Sequence, residues 1–184
     1  MSSLRHEFVG YEDPVNGPET QEIWRKNGEL HRDDGPALIT RDASQKTVRQ
    51  EWYREGQLHR DDGPAVLIQN EFVNAEEWYE NGLLHRYWHP AKLSRSIHTG
   101  ILTQEVYYLK GEEHRTDSGP SRTYRDNDTG VIEYQSWRRY GKLHRTDGPA
   151  EIERDPYTGE ITMARFCLQD DEVQPTYHCN IPSP

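Results

Sequence analysis

Apolar residues occur along this chain in short runs separated by polar residues, glycine and proline. Segments 36–40, 48–54 and 64–69 are rich in Val, Ile and aromatic residues and are bounded by turn-forming residues, which predicts β-strands. No stretch shows a sustained apolar pattern at 3.6-residue spacing, the signature of an amphipathic helix. The pattern therefore predicts an all-β protein.

Five two-residue sequences ending in glycine lie where the chain would reverse between strands. Asn-Gly is the strongest short signal for a hairpin, because both central residues of a type I′ turn have positive φ. The five sequences are Asn27-Gly28, Glu55-Gly56, Asn81-Gly82, Lys110-Gly111 and Tyr140-Gly141. They predict a meandering antiparallel ribbon in which hairpin follows hairpin along one axis.

An internal repeat accounts for this regularity. In five segments an aromatic residue stands seven positions before a histidine, a glycine three positions before it and an arginine one position after it. The aromatic residues are Trp24, Trp52, Trp78, Tyr107 and Trp137, and the histidines are His31, His59, His85, His114 and His144, spaced 28, 26, 29 and 30 residues apart. Phe166 begins a sixth, degenerate copy with Val173 at the histidine position. The chain is therefore predicted to stack similar units on one another.

A second turn pattern, which Asp begins and Gly ends, extends the array towards both ends of the chain. It occurs at residues 13–17, 126–130 and 155–159, and each time an aromatic residue follows the glycine by seven positions. We therefore divide the chain into an N-terminal half-repeat or cap (1–23), five hairpin repeats (24–159) and a degenerate sixth repeat with a C-terminal cap (160–184). The predicted fold is an elongated, antiparallel, single-layer sheet of tandem β-hairpin repeats.

The composition fits an elongated fold better than a globule with a single core. Only 32% of the residues are apolar, fewer than in most soluble domains. The chain nevertheless contains five Trp and eleven Tyr, which a disordered acidic chain would not carry. We therefore expect the repeat aromatics to provide most of the buried surface, a little in each unit.

The repeated sequence Trp-Tyr-x-x-Gly-x-Leu-His-Arg-x-Asp-Gly-Pro-Ala resembles the MORN (membrane occupation and recognition nexus) repeat, which shares the aromatic residue, the glycine and the histidine. It is most similar to the MORN-variant repeats of bacterial antitoxin-like proteins and of phage and large-virus proteins. The resemblance covers nearly the whole chain, over residues 6–170. It implies an elongated single-layer sheet that serves as a docking platform, and it implies no reaction.

The net charge of −10 narrows the choice of partner. Phosphate backbones repel an acidic surface, so we expect no direct binding to nucleic acid. The charge favours a protein partner with a basic surface, and an acidic mimic of nucleic acid is a lesser alternative. The sequence contains no run of about 18 apolar residues, so we expect no membrane span. With only two cysteines, Cys167 and Cys179, we expect a reducing, cytoplasmic location, in the host cell if a phage encodes the chain.

The repeat positions are predicted to be structural. Histidines that occur once per unit would lie about 10 Å or more apart if each unit adds two strands spaced by about 4.8 Å, too far to share a metal ion. We expect each histidine to pack beside the aromatic residue and to hydrogen-bond to backbone or to the repeat aspartate. We expect each following arginine to pair with a repeat aspartate. Cys167, His178 and Cys179 are three conceivable zinc ligands, although their spacing matches no defined zinc motif. No catalytic or cofactor motif is present, so we expect neither an enzyme nor a cofactor.

Candidate binding residues stand where the repeat is broken. In the third unit Trp88-His89 replaces the Asp-Gly pair of the other units, and Tyr87 precedes it. Trp, Tyr and Arg are enriched in interface hot spots, and the alternative is that these aromatics pack inside a bend in the sheet. Arg138-Arg139-Tyr140 in the fifth unit is a second candidate, for which the alternative is a solvated surface.

These expectations predict a non-enzymatic, protein-binding repeat scaffold. Its most concrete version is a small intracellular inhibitor, of the phage counter-defence or antitoxin-like kind, that occludes a partner protein or complex. The alternative is a structural or assembly component of a viral or bacterial structure.

Overall fold

The computed structural model of the chain describes residues 4–13 and 17–173, and every regular element in these ranges is a β-strand. In chain order the strands are β1 (Leu4–Asp13), β2 (Gly17–Lys26), β3 (Glu29–Leu30), β4 (Leu38–Arg41), β5 (Thr47–Glu51), β6 (Tyr53–Arg54), β7 (Gln57–Leu58), β8 (Val66–Gln69), β9 (Val73–Glu77), β10 (Tyr79–Glu80), β11 (Leu83–Leu84), β12 (Lys92–Ser96), β13 (Leu102–Val106), β14 (Tyr108–Leu109), β15 (Glu112–Glu113), β16 (Arg122–Arg125), β17 (Ile132–Ser136), β18 (Arg138–Arg139), β19 (Lys142–Leu143), β20 (Glu151–Arg154), β21 (Ile161–Arg165), β22 (Cys167–Leu168) and β23 (Asp171–Glu172). No helix in these ranges is long and apolar enough to cross a membrane.

The longer strands form one antiparallel sheet. Their order in the sheet is β1-β2-β4-β5-β8-β9-β12-β13-β16-β17-β20-β21, so each strand pairs with the long strands that precede and follow it in the chain. β3 pairs with the end of β2. The order confirms the predicted sheet of consecutive hairpins, and because contacts are local in sequence, each unit depends mainly on its neighbours.

Two kinds of connection alternate between the long strands, and they lie at opposite ends of the strands because the sheet is antiparallel. At one end are short turns, at 42–46, 70–72, 97–101, 126–131 and 155–160. At the other end the chain forms a small two-stranded hairpin and then a loop before it returns to the sheet. These hairpins are β6–β7, β10–β11, β14–β15 and β18–β19, and β2–β3 is their counterpart in the first unit. The hairpin β22–β23 follows β21 and is the last element of the described residues.

Aspartate side chains close several of the short turns. Asp126 Oδ1 accepts hydrogen bonds from the backbone N–H groups of Asp128 (3.1 Å) and Thr129 (2.7 Å), and Gly130 ends the turn with φ 77°. The turn that begins at Asp155 is built in the same way. This is the arrangement that the Asp–Gly spacing predicts. The turn predicted at residues 13–17 includes residues 14–16, which lie outside the described residues.

Small side chains, rather than large aromatics, occupy the most enclosed positions of the sheet. Each is the residue that follows the repeat proline, and each has an exposed fraction of 0%: Ala37, Ala65, Ala91, Ser121 and Ala150. The repeat aromatics are less completely enclosed than these small side chains. Trp24, Trp52, Trp78, Tyr107 and Phe166 are half-buried, and Trp137 is buried. A single layer has no second layer to cover one whole face of a ring, and the arginines described below take that place.

Candidate functional site

The loop that follows each small hairpin carries the repeat histidine and arginine. We call these segments the histidine loops; they span residues 31–36, 59–64, 85–90, 114–120 and 144–149. All of them lie at the same end of the strands, so they form a row along one edge of the molecule.

Four of the repeat histidines connect their own unit to the next one. Nδ1 of His31 accepts a hydrogen bond from the backbone N–H of Glu55 at 3.0 Å. The equivalent bonds to His59, His85 and His114 come from Asn81, Lys110 and Tyr140, at 3.1, 3.0 and 3.3 Å. Since Nδ1 accepts, the ring proton of the neutral imidazole is on Nε2. Each donor is the first residue of a hairpin turn and has positive φ, between 49° and 51°.

The arginine after each histidine covers the aromatic ring of its own unit. Its guanidinium carbon lies between 3.7 and 4.3 Å from the ring centroid in all five units, within the range of a cation–π contact. Nη1 of the same arginine donates to the carbonyl of the repeat proline, as Arg60 does to Pro64 at 3.4 Å. A Cβ added at Gly63 would lie 2.9 Å from Arg60 Cζ, so the repeat glycine lets the loop backbone close over the guanidinium.

Aspartates complete the histidine loops of the first two units. Asp33 and Asp61 pair with Nε2 of His31 and His59, at 3.0 and 2.8 Å. The next aspartate in each loop pairs with Nε of the stacked arginine, at 2.9 Å both times. The same arginine–aspartate pair occurs in the fourth and fifth units, as Arg115–Asp117 and Arg145–Asp147.

The third histidine loop has lost both carboxylates. Tyr87, Trp88 and His89 stand where the second unit has Asp-Asp-Gly, and all three side chains are exposed. Trp88 is 74% exposed and has φ 63°. Positive φ in a residue this bulky is a genuine backbone outlier, of the kind that persists at functional sites.

Polar groups beneath this loop are only partly satisfied. Arg86 lies 3.7 Å above the Trp78 ring and donates to the Pro90 carbonyl at 3.2 Å, but it has no carboxylate partner among the described residues, and burial lowers the pKa of its guanidinium. Nε1 of Trp78 and Nε2 of His85 are buried and make no hydrogen bond within the described residues, although the Glu80 carboxylate lies 3.5 Å from His85 Nε2. Buried donors without acceptors cost free energy, so the third unit carries such a cost.

The two aromatic residues of the third loop differ in their contacts. Tyr87 packs edge-on against the His85 ring, with 4.5 Å between centroids, and remains 61% exposed. Trp88 is mostly in solvent. The alternative that both pack inside a bend therefore does not hold for Trp88.

The second predicted cluster divides into three residues with different surroundings. Arg138 Nη1 donates to the Gly141 carbonyl at 2.8 Å, and its Nε lies 3.7 Å from the buried Glu113. Tyr140 stacks on the His114 ring at 4.3 Å. Arg139 is exposed and pairs with no carboxylate within the ranges that the structure describes. Tyr140 is also 61% exposed, so Arg139 is the charged residue of this cluster that is open to an external group.

A buried polar network in the fourth unit escaped the sequence analysis. Glu113 stands where most units have leucine, and its carboxylate accepts hydrogen bonds from Ser121 (2.8 Å) and Arg122 (2.5 Å). Ser121 in turn replaces the repeat alanine. The signal was these two polar residues at apolar repeat positions of one unit. Because these groups satisfy one another, the network is structural.

Within residues 4–13 and 17–173, no group of three His, Cys, Asp or Glu side chains is arranged to hold a metal ion. Cys167 is buried, whereas His178 and Cys179 lie outside the described residues. Comparison with protein-family models, with curated proteins and with solved structures finds no match to this chain.

Proposed function

We propose that this chain is a non-enzymatic repeat scaffold that binds a partner protein through its row of histidine loops, with Trp88 as the central contact. The observation that carries the proposal is a tryptophan that is 74% exposed and held at φ 63° in a loop that other units build from Asp and Gly.

The energetics of the third loop support this proposal. A bulky residue in this backbone region costs about 1–3 kcal/mol, and the ion pairs of the replaced aspartates are lost as well. Within the described residues nothing offsets these costs, because Trp88 is 74% exposed. Burial of Trp88 by a partner would offset these costs, since tryptophan is among the residues most enriched in hot spots.

The finer form of the proposal is a small intracellular inhibitor that occludes a partner protein or complex. The resemblance to repeats of antitoxin-like and phage proteins supports it, as does a binding row that needs no cofactor. The acidic net charge favours a partner whose overall surface is basic, and disfavours direct contact with nucleic acid.

The test is affinity capture from the cells that encode the chain, followed by measurement of the dissociation constant for the captured protein. Trp88→Ala should weaken binding by 2 kcal/mol or more, about thirtyfold. The matched control is Tyr157→Ala, because Tyr157 is 90% exposed but lies in a turn at the opposite end of the strands. Equal affinity of wild type and Trp88→Ala would refute the assignment.

A structural or assembly component is the second candidate, and the first strand favours it. Among the described strands β1 pairs only with β2, and Leu4, Phe8 and Val9 are exposed on it. A long unpaired edge strand with exposed apolar residues can pair with another chain. Sedimentation would separate the candidates, because assembly predicts mass that grows with protein concentration and the binding scaffold does not.

A further inference from the structure

The second unit contains a carboxylate that is held by an arginine and a histidine of the same unit. Arg54 Nη2 donates to Asp61 Oδ2 at 2.5 Å, and His59 Nε2 lies 2.8 Å from both Asp61 Oδ1 and Arg54 Nη1. The two hydrogen bonds to Asp61, with that from Arg54 the stronger influence, hold the pKa of Asp61 below its ordinary value. Side chains at these three positions can therefore form a clamp for one carboxylate.

The fifth unit keeps the arginine and the histidine of this clamp and lacks the carboxylate. The three equivalent residues are Arg139, His144 and Thr146. The hairpins β6–β7 and β18–β19 have the same register and the same two-residue turn, so the backbone presents the positions in the same way. Arg139 and Thr146 are exposed, and His144 is half-buried whereas the other four repeat histidines are buried.

The histidine is oriented to donate a hydrogen bond at this position. Gln169 Nε2 lies 3.3 Å from His144 Nδ1, and an amide nitrogen can only donate. Nδ1 therefore accepts, and the ring proton of the neutral imidazole is on Nε2. In the second unit it is Nε2 that faces the carboxylate.

A cavity of about 290 Å³ between the fourth and fifth histidine loops is lined by these three positions. Arginine predominates in its lining, but most of these arginines already have carboxylates near them: Arg115 has Asp117, Arg145 has Asp147 and Arg138 has Glu113. Arg139 is the cation of this lining without such a partner in the described part of the chain. The excess positive charge is therefore at the position of the clamp.

We infer that Arg139 and His144 form a binding site for a carboxylate, supplied by an Asp or Glu side chain of the partner. This inference rests on the proposed function and adds the partner's chemistry to it. The third and fifth histidine loops are separated by four strand spacings, or roughly 20 Å at about 4.8 Å each. The partner therefore presents an acidic side chain roughly that far from the pocket that receives Trp88, even where its overall surface is basic.

Acetate is the probe that tests the site without the partner. We expect acetate, added at constant ionic strength in exchange for chloride, to produce saturable NMR shifts of the Arg139 Nε–Hε and His144 ring signals. Thr146→Asp, which supplies an internal carboxylate as in the second unit, should abolish the response. No response in the wild-type protein, or one that persists in Thr146→Asp, would overturn the inference.

The second unit provides the reciprocal experiment. Asp61→Thr removes the internal carboxylate and should make the signals of Arg54 and His59 respond to acetate, whereas in the wild-type protein they should not. Absence of this gain would show that the arginine and the histidine alone do not make the clamp, and would contradict the inference even if Thr146→Asp folds poorly.

The partner gives the last arm of the test. Thr146→Asp should weaken partner binding by about fivefold, which corresponds to about 1 kcal/mol, and wild-type affinity in this variant would place the carboxylate site outside the interface. Because the acetate titration needs no partner, failure of the site and failure of the Trp88 interface are separate results.

Discussion

At the scale of single residues, the structural role of the repeat histidine depends on one ring atom, Nδ1. Nδ1 accepts the backbone N–H at the start of the next hairpin turn, in four successive units. That N–H belongs to a residue with positive φ, and its bond to the histidine stabilises the turn while it connects two units. Protonation of the imidazole would place a hydrogen on Nδ1 and remove the acceptor.

This role predicts a dependence of stability on pH that can be traced to His114. Burial lowers the pKa of His114 below its ordinary value of 6.5, and Arg139 lowers it further, while Glu112 opposes them. Between the folded-state pKa and 6.5 the unfolded chain binds a proton that the folded chain does not, so the free energy of unfolding falls on acidification through this window. His114→Asn keeps an acceptor but does not titrate.

Urea unfolding of both proteins at pH 7.5 and pH 5.0 would measure the effect. The wild-type protein should lose more stability between these pH values than His114→Asn, and the other histidines cancel in the comparison. An equal loss in the two proteins would show that His114 does not contribute.

At the scale of elements, the small hairpin depends on its turn and on the hairpin before it. Gly111 has φ 84°, and its N–H donates to the Leu84 carbonyl of the preceding unit at 2.8 Å. A Cβ at this position would lie 3.3 Å from Leu83 Cδ2. The turn geometry and the contact between units therefore both favour a residue without a Cβ at position 111.

Gly111→Ala should lower the free energy of unfolding by about 1–2 kcal/mol, the cost of left-handed backbone in a residue with a Cβ. Gly10→Ala is the control, because nothing lies within 4 Å of a Cβ added there and its φ is not positive; alanine in the strand should be neutral or slightly favourable. Equal effects of the two changes, in chemical denaturation, would contradict this account of the turn.

Much of the element structure could be predicted from the sequence, because glycine and aspartate mark the backbone directly. The hairpin at Asn81-Gly82 and the turn at Asp126 are examples, since each needs a conformation that few residues adopt. The contacts across units could not be predicted. Spacing shows that a histidine recurs, but not that Nδ1 of His59 reaches Asn81, because that depends on how far one hairpin is displaced from the next.

The candidate site was predicted only in part, for a similar reason. The replacement of Asp-Gly by Trp88-His89 is visible in the sequence because the repeat supplies its own reference. The distinction between Arg138 and Arg139 is not visible, because adjacent strand residues point to opposite faces. Glu113 near Arg138 decided which of the two arginines remains open.

At the scale of the whole molecule, the sheet is an array in which each unit forms its hydrogen bonds and ion pairs within itself and with its neighbours. The first two histidine loops are complete in this sense, with stacked arginine, paired histidine and glycine closure. The third loop departs from the pattern at three consecutive residues and leaves buried donors unpaired. The central claim is that this unit gives up stability in order to present a binding surface.

The most direct test restores the third loop to the sequence of the second, with the triple substitution Tyr87→Asp, Trp88→Asp and His89→Gly. The change relieves positive φ at a bulky residue, provides a carboxylate for Arg86, and places one next to His85, whose nearest carboxylate in the structure is that of Glu80 at 3.5 Å. The account predicts that the free energy of unfolding, measured by chemical denaturation, rises by about 1–3 kcal/mol relative to the wild-type protein. A fall in that free energy would show that Tyr87 and Trp88 stabilise the fold, and would contradict the claim.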